Sequence, residues 1–222
     1  MAITISGDLA HMPSRTVEAA PYGEEQAARF AQFKEWKKKT ERDLEVDWII
    51  SKAHISQNRQ LSFPFYEELV PTRMQLTNGK VDWDYSGFMG LPNANAVGQR
   101  FKDIIESVEP GIHQFLPFEL YDQEGKLIDK PLYFWRVCTS LDAISPELGG
   151  VKPLGLPDNH SWQINPGDGR RKLAVKKDVI EGRAAWCDVR MPSRQFISDL
   201  VVTKLNEQQL TGWEAIENWK EI

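Results

Sequence analysis

Apolar positions along the chain change their spacing several times, and each change marks an element. The first stretch mixes Gly7, Pro13, Pro21 and Gly23 with small residues, a pattern that allows one short strand and then a loose arm. From Glu24 to about Leu44 the sequence EEQAARFAQFKEWKKKTERDL has no glycine or proline, and it places Ala27, Phe30, Ala31 and Phe33 on one face. Acids at its start suit the positive end of a helix dipole, so a helix is predicted near residues 24–42. Val46, Trp48 and Ile50 then alternate in a strand-like way, with continuation of the helix as the competing reading. Between Ser56 and Asn95, prolines at 64, 71 and 92, the Asn78-Gly79 pair and the aromatics Phe63, Phe65, Tyr66, Trp83, Tyr85 and Phe88 predict short strands joined by turns.

The middle of the chain is more regular. Phe101, Ile104, Ile105 and Val108 fall at i, i+3, i+4 and i+7, which predicts an amphipathic helix over 99–108 ended by Pro110-Gly111. His113 to Tyr121 is a strand that turns at Asp122-Gln123-Glu124-Gly125 into Lys126 to Ile128. Leu132 to Cys138, reading LYFWRVC, is apolar on both faces except for Arg136. An edge strand with one wet face would alternate, so this one belongs inside a sheet. Residues 145–170 are rich in Gly and Pro and predict a loop excursion. Strands near Leu173 to Val175 and Ala184 to Val189, a helix near Asp199 to Gln209, Gly212 and an aromatic run through Trp219 complete the chain.

The end resembles the middle. When AVGQRFKDIIESVEPGIHQF is laid beside FISDLVVTKLNEQQLTGWEA with one residue of gap, each shows an apolar residue (Val97, Ile197), a small cap (Gly98, Ser198), a one-faced helix, a glycine (Gly111, Gly212) and a strand. Shared local physics accounts for such a weak strand-helix-strand repeat more cheaply than duplication does. The elements together describe an α+β fold, a mixed or antiparallel sheet with a few short helices packed on it. Residues 1–45 form an amino-terminal arm and helix, and 46–222 a single α+β domain.

Composition narrows the function more than the fold. With 41% hydrophobic and 27% charged residues, the 222-residue chain can bury a full core without disulfides or metal. Eight Trp, ten Phe and five Tyr supply core area, and any left exposed would serve as interface anchors. The net charge of −5 comes from 32 acidic and 27 basic side chains spread along the chain, with no basic footprint of the kind nucleic acid requires. No apolar run approaches the roughly 20 residues that span a bilayer. Two cysteines and the absence of a secretory pattern at the start predict a cytoplasmic protein.

No catalytic, cofactor-binding or metal-binding set emerges. His11, His54, His113 and His160 are scattered and lack metal-ligand spacing. Cys138 lies in the apolar strand and is expected to be a core thiol, whereas Cys187 in AAWCD has room for partial exposure but no histidine base nearby in sequence. NPGDGRRK lacks phosphate-loop spacing and is expected to be a turn. Asp82 and Asp84 flank Trp83 and could share a strand face as a dyad, but a wet edge with Trp83 turned inward is the simpler expectation. Asn159-His160-Ser161 matches a glycosylation acceptor and carries no weight without a secretory signal. Lys37-Lys38-Lys39 is a solvated helix face, while Arg170-Arg171-Lys172 with Lys176-Lys177 is a candidate partner contact.

Trp186, Pro192, Phe196, Ser198, Asp199, Leu205, Leu210, Thr211, Gly212 and Trp213, within AAWCDVRMPSRQFISDLVVTKLNEQQLTGWEAIE, occupy the places of a Trp strand, a turn, a capped helix and a Leu-Thr-Gly-aromatic ending. In this the chain resembles a bacterial immunity-protein family, the eleventh of the polymorphic-toxin systems and formerly a domain of unknown function. Phe115 and Pro117 are similar to the strand ending of that family's first block, although Gly98 stands where a serine is usual. The resemblance covers residues from about 83 to 219 and implies a protein, encoded beside a toxin, that protects its producer by binding that toxin. Acidic and aromatic side chains and the segment 145–170 are the expected contact surface, and the residues name no particular one. The competing expectation is a small enzyme whose site assembles only in three dimensions, from residues such as Asp82, His160 and Cys187.

Overall fold

A computed structural model describes residues 2–7, 18–50, 64–86, 95–153, 162–165 and 172–222. Among these, mixed sheets and a few helices form the expected α+β fold. The first long element, helix α1, spans Glu24–Ile50 and runs straight through the residues whose alternation allowed a strand. No breaker stands between Leu44 and Val46, and extending an existing helix by one turn costs less than starting a new strand.

Two six-stranded sheets carry the structure, with a two-stranded ribbon beside them. The first contains β2 (Glu18–Pro21), β3 (Arg73–Asn78), β6 (Gln114–Tyr121), β7 (Leu132–Arg136), β5 (Asn95–Gly98) and β4 (Tyr85–Ser86), in that order across the sheet. The second runs β11 (Ala174–Val175), β14 (Trp213–Glu221), β1 (Ala2–Gly7), β13 (Met191–Ser198), β12 (Ala185–Asp188) and β8 (Ser140–Leu141). The ribbon joins β9 (Val151–Pro153) to β10 (Trp162–Ile164). As its continuous apolarity required, β7 is an interior strand paired on both sides, with Phe134 and nearby Val137 each about 1% exposed.

The two sheets repeat one pattern. In the first, helix α2 (Gln99–Val108) connects β5 to β6, β7 lies antiparallel between those strands, and β3 pairs parallel with β6. In the second, which also holds the short helix α3 (Lys177–Ile180), helix α4 (Asp199–Glu207) connects β13 to β14, β1 lies antiparallel between them, and β11 pairs parallel with β14. Registers match as well. Tyr85 faces Val97 and Ser86 faces Ala96, just as Ala185 faces Ile197 and Trp186 faces Phe196. Met74 is opposite Leu120, and Ala174 opposite Lys220. Local capping cannot produce a matched register in strands so far apart in sequence, so the repeat is a property of the whole unit. The strand that closes the second unit is supplied by the chain's first residues.

Helix α2 buries Phe101, Ile104 and Ile105, helix α4 buries Val201, Val202 and Leu205, and the two helices touch each other. They share one core with Ile3, Tyr85, Val97, Trp135, Ala185 and Ile197, so the central core lies between the units. A second core on the far face of the first sheet is closed by α1 through Phe33, which meets Phe65 edge-on at 5.1 Å. A third, on the far face of the second sheet, stacks Trp186 on Phe196 at 5.7 Å and sets Trp219 edge-on to Phe196.

Candidate partner surface

The residues singled out for chemistry separate widely. His11, His54, His160, the Asn159-Ser161 tripeptide and Arg170-Arg171 lie outside the described residues, as does much of NPGDGRRK. Lys38 and Lys39 are solvent-exposed, in keeping with a wet helix face. The cysteines exchange their expected roles: Cys187 is buried at 5% exposure in the central core, and Cys138 is only half-buried. The reason is register. Cys138 lies two residues beyond the end of β7, where the chain leaves the sheet, while Cys187 is interior to β12. Burial raises the Cys138 thiol above its ordinary value, against the activation a nucleophile needs.

Trp83 is turned inward as expected, but Asp84 is engaged by the other unit, where its Oδ2 accepts hydrogen bonds from the Thr211 N–H at 2.9 Å and the Thr211 hydroxyl at 3.2 Å. Arg100 lies 3.5 Å from Asp84 Oδ1, and the Thr211 carbonyl accepts from the Asp84 and Tyr85 amides. Gly212 follows with φ of 87°, against the backbone of Tyr85. The Leu-Thr-Gly ending is therefore a clamp of one unit on the other.

A matching clamp runs the other way. Glu109, just after α2, accepts the Ala184 N–H at 2.8 Å and pairs with Arg183 at 2.8 Å. His113 is buried beside it, its Nδ1 accepting from the Cys138 N–H at 3.3 Å and its Nε2 lying 3.3 Å from Glu109 Oε2 but out of line for a good hydrogen bond. An N–H aimed at Nδ1 requires the neutral imidazole with its proton on Nε2. Burial lowers the His113 pKa, opposed by Glu109 and Glu106 and assisted by Arg183.

No motif pointed to Asp188, which is fully buried. Its carboxylate accepts the amides of Ala143 at 2.8 Å, Ile144 at 2.7 Å and Arg190 at 2.8 Å, and burial raises its pKa against those donors. These bonds fix the start of the Gly/Pro-rich excursion. Its described part covers the third core through Val151, Trp162 and Ile164, while Lys152 and Pro153 face solvent.

A concave surface lies beside α2. That helix packs on β5 and β7, and among the described residues no helix packs comparably on the same face over β6 and the start of β3. The resulting groove of about 640 Å³ is lined by Thr72, Arg73, Pro117, Phe118, Glu119, Pro131, Leu132 and Tyr133. Phe115 and Tyr133 meet edge-on at 6.4 Å at its α2 side, and Lys102 of α2 stands 4.3 Å from the Tyr133 ring centre and 5.8 Å from that of Phe115. At the other side the Tyr121 hydroxyl donates to Glu119 Oε2 at 2.9 Å, and Arg73 pairs with Glu25 at 3.0 Å.

Among the described residues no group of three or more His, Cys, Asp or Glu could hold a metal ion, and no helix is long and apolar enough to cross a membrane. What the fold defines is an α+β scaffold of two clamped sheet-helix units with an aromatic and charged groove on the first. No curated protein matches the chain. The model of the Immunity protein family (Imm11) matches residues 27–218, and the chain belongs to that family. The match takes in α1 from its fourth residue and the whole first sheet except β2, reaching well upstream of the residues whose motifs first suggested it.

Proposed function

We propose that this protein neutralises a toxin by binding it stoichiometrically, and that the toxin is a domain encoded beside it. The observation that carries this is the family match over residues 27–218, since immunity is the role the family name states. The scaffold suits the role. Its buried acids, Glu109 and Asp188, bind backbone amides and so hold the fold, while half-buried Tyr133 and exposed Glu119 remain for contact on a preformed surface. A net charge of −5 assists encounter with a basic partner, and it argues against nucleic acid as the ligand.

Co-expression tests the reading. Cells making the neighbouring toxin survive when this protein is present, and the two co-elute on a sizing column at about micromolar concentration. Equal killing with and without it, together with separate elution, overturns the immunity reading and favours a small enzyme whose site assembles only in three dimensions.

A further inference from the structure

We propose that the groove beside α2 is where the toxin docks, and that it receives an arginine side chain on a loop of that toxin; this rests on the immunity reading above. Among the described residues the groove is an unpartnered part of a sheet face. Pro117, Glu119 and Pro131 are exposed on it although β6 is an interior strand, because α2 reaches only as far as β7. Two prolines and the Tyr133 ring make a rigid, weakly hydrated floor whose ordering on binding costs little.

Charge complementarity selects the occupant. The Phe115–Tyr133 pair already faces a cation, the ammonium of Lys102, so its exposed ring surface suits positive charge. On the opposite wall Glu119 accepts from a neutral phenol and, among the described residues, pairs with no cation. Its register neighbour Arg73 is held by Glu25 instead. A carboxylate supported by a neutral donor, facing an aromatic and proline floor, matches a guanidinium. The planar cation lies on the rings and prolines while its N–H fork donates to both Glu119 oxygens. An ammonium could reach Glu119 but would lack both the stacking and the fork.

Two measurements test this. In the first, the toxin domain is titrated against wild type, Glu119→Arg and a control, Glu207→Arg, on the exposed surface of α4, with thermal midpoints verifying that all three fold. The expected result is at least tenfold weaker binding for Glu119→Arg and less than twofold for the control; equal binding by all three overturns the docking site and leaves the immunity reading standing. In the second, N-acetyl-arginine amide is titrated into the protein alone and followed by NMR, with N-acetyl-glutamine amide as the uncharged comparison. Saturable shifts at Tyr133 and Glu119 at about millimolar concentration, absent with the glutamine compound and lost in Glu119→Gln, are expected. Identical responses to the two compounds, or none, overturn the arginine site. Because this arm uses no toxin, it decides the groove even if wild type binds no toxin and the immunity reading falls.

Discussion

Asn95 and Gln195 meet side chain to side chain across the line that relates the two sheet-helix units, the Asn95 amide donating to the Gln195 carboxamide oxygen. They hold equivalent places, each one residue before the strand position that faces Ser86 or Trp186. Asn95 is 8% exposed, so Gln195 supplies its buried amide with an acceptor in place of water. The clamps flank this contact, Thr211 on Asp84 at one end and Glu109 on Ala184 at the other. These three contacts tie groups of one unit to groups of the other, which makes the halves interdependent.

The sharpest test of that dependence is Gly212. A β-carbon there would be forced against the Tyr85 carbonyl oxygen and would stand 2.6 Å from Trp83 Cβ, on a backbone already at φ 87°. Gly212→Ala is expected to cost about 3 kcal/mol of stability in urea denaturation, from conformational strain plus displacement of the clamp. Gly182 has a similar φ of 75° with nothing within 4 Å of its added β-carbon, so Gly182→Ala should cost only about 1 kcal/mol. Equal losses for the two would mean that the close approach at Tyr85 is unimportant.

The helix starts offer a reciprocal pair. Ser198 accepts from the Val201 N–H at 3.4 Å, whereas Gly98 stands at the equivalent cap with extended φ and ψ of −83° and 172° and no side chain. Ser198→Ala should lose about 1 kcal/mol, and Gly98→Ser should gain a few tenths of a kcal/mol. An added β-carbon at Gly98 meets nothing nearer than 3.8 Å, so sterics do not oppose the gain. A drop in thermal midpoint for Gly98→Ser would show that the cap geometry is not the one described.

Elements governed by local rules were legible in the chain. The spacing of Phe101, Ile104 and Ile105 gives α2, the unbroken apolarity of LYFWRVC gives an interior β7, and Ser198 marks the start of α4. Pairings between distant segments were not legible. Nothing in AITISG states that it lies between β13 and β14, because strand periodicity records which face is buried and not which neighbour is paired. The strand-like alternation of Val46, Trp48 and Ile50 lies within α1, because spacing over so few residues does not separate a strand from a continuing helix. Asp188 and Glu109 escaped notice because a lone acid in a sequence is ordinarily a surface residue. The one available signal was the position of Asp188 at the close of an apolar run, AAWC. The groove is assembled from residues near 72, 118 and 132, which no linear motif joins.

His113 should make stability depend on pH. Its folded pKa lies below the ordinary 6.5 because burial penalises the cation, so the unfolded chain binds the proton more tightly. The contribution of the neutral imidazole is therefore complete above about pH 6.5 and is lost as pH falls from there through the folded value. Protonation would also place an N–H on Nδ1 against the Cys138 amide. Urea midpoints measured from pH 8 to 5.5 should fall more steeply for wild type than for His113→Gln. Parallel curves would assign the acid sensitivity to other groups.

The last prediction follows from where β1 lies. In the first unit β6 turns back directly into β7, its antiparallel neighbour, while in the second β14 has as its antiparallel neighbour the strand from the opposite end of the chain. Ala2 is opposite Trp219, so the end of β14 and the start of β1 adjoin. Joining Ile222 to Ala2 through a loop of about four residues, with new ends opened between β1 and β2, would give the second unit the same strand-to-strand connection as the first. Such a permuted protein should fold with an unchanged near-ultraviolet spectrum, in which the packed Trp186, Phe196 and Trp219 rings report, and with a thermal midpoint within a few degrees of the parent's. Removing residues 1–7 outright should instead abolish cooperative unfolding, because Ala2 and Ile3 are buried and the sheet would lose the strand between β13 and β14. A truncated chain that unfolds cooperatively near the parent's midpoint would show that the second unit closes without β1.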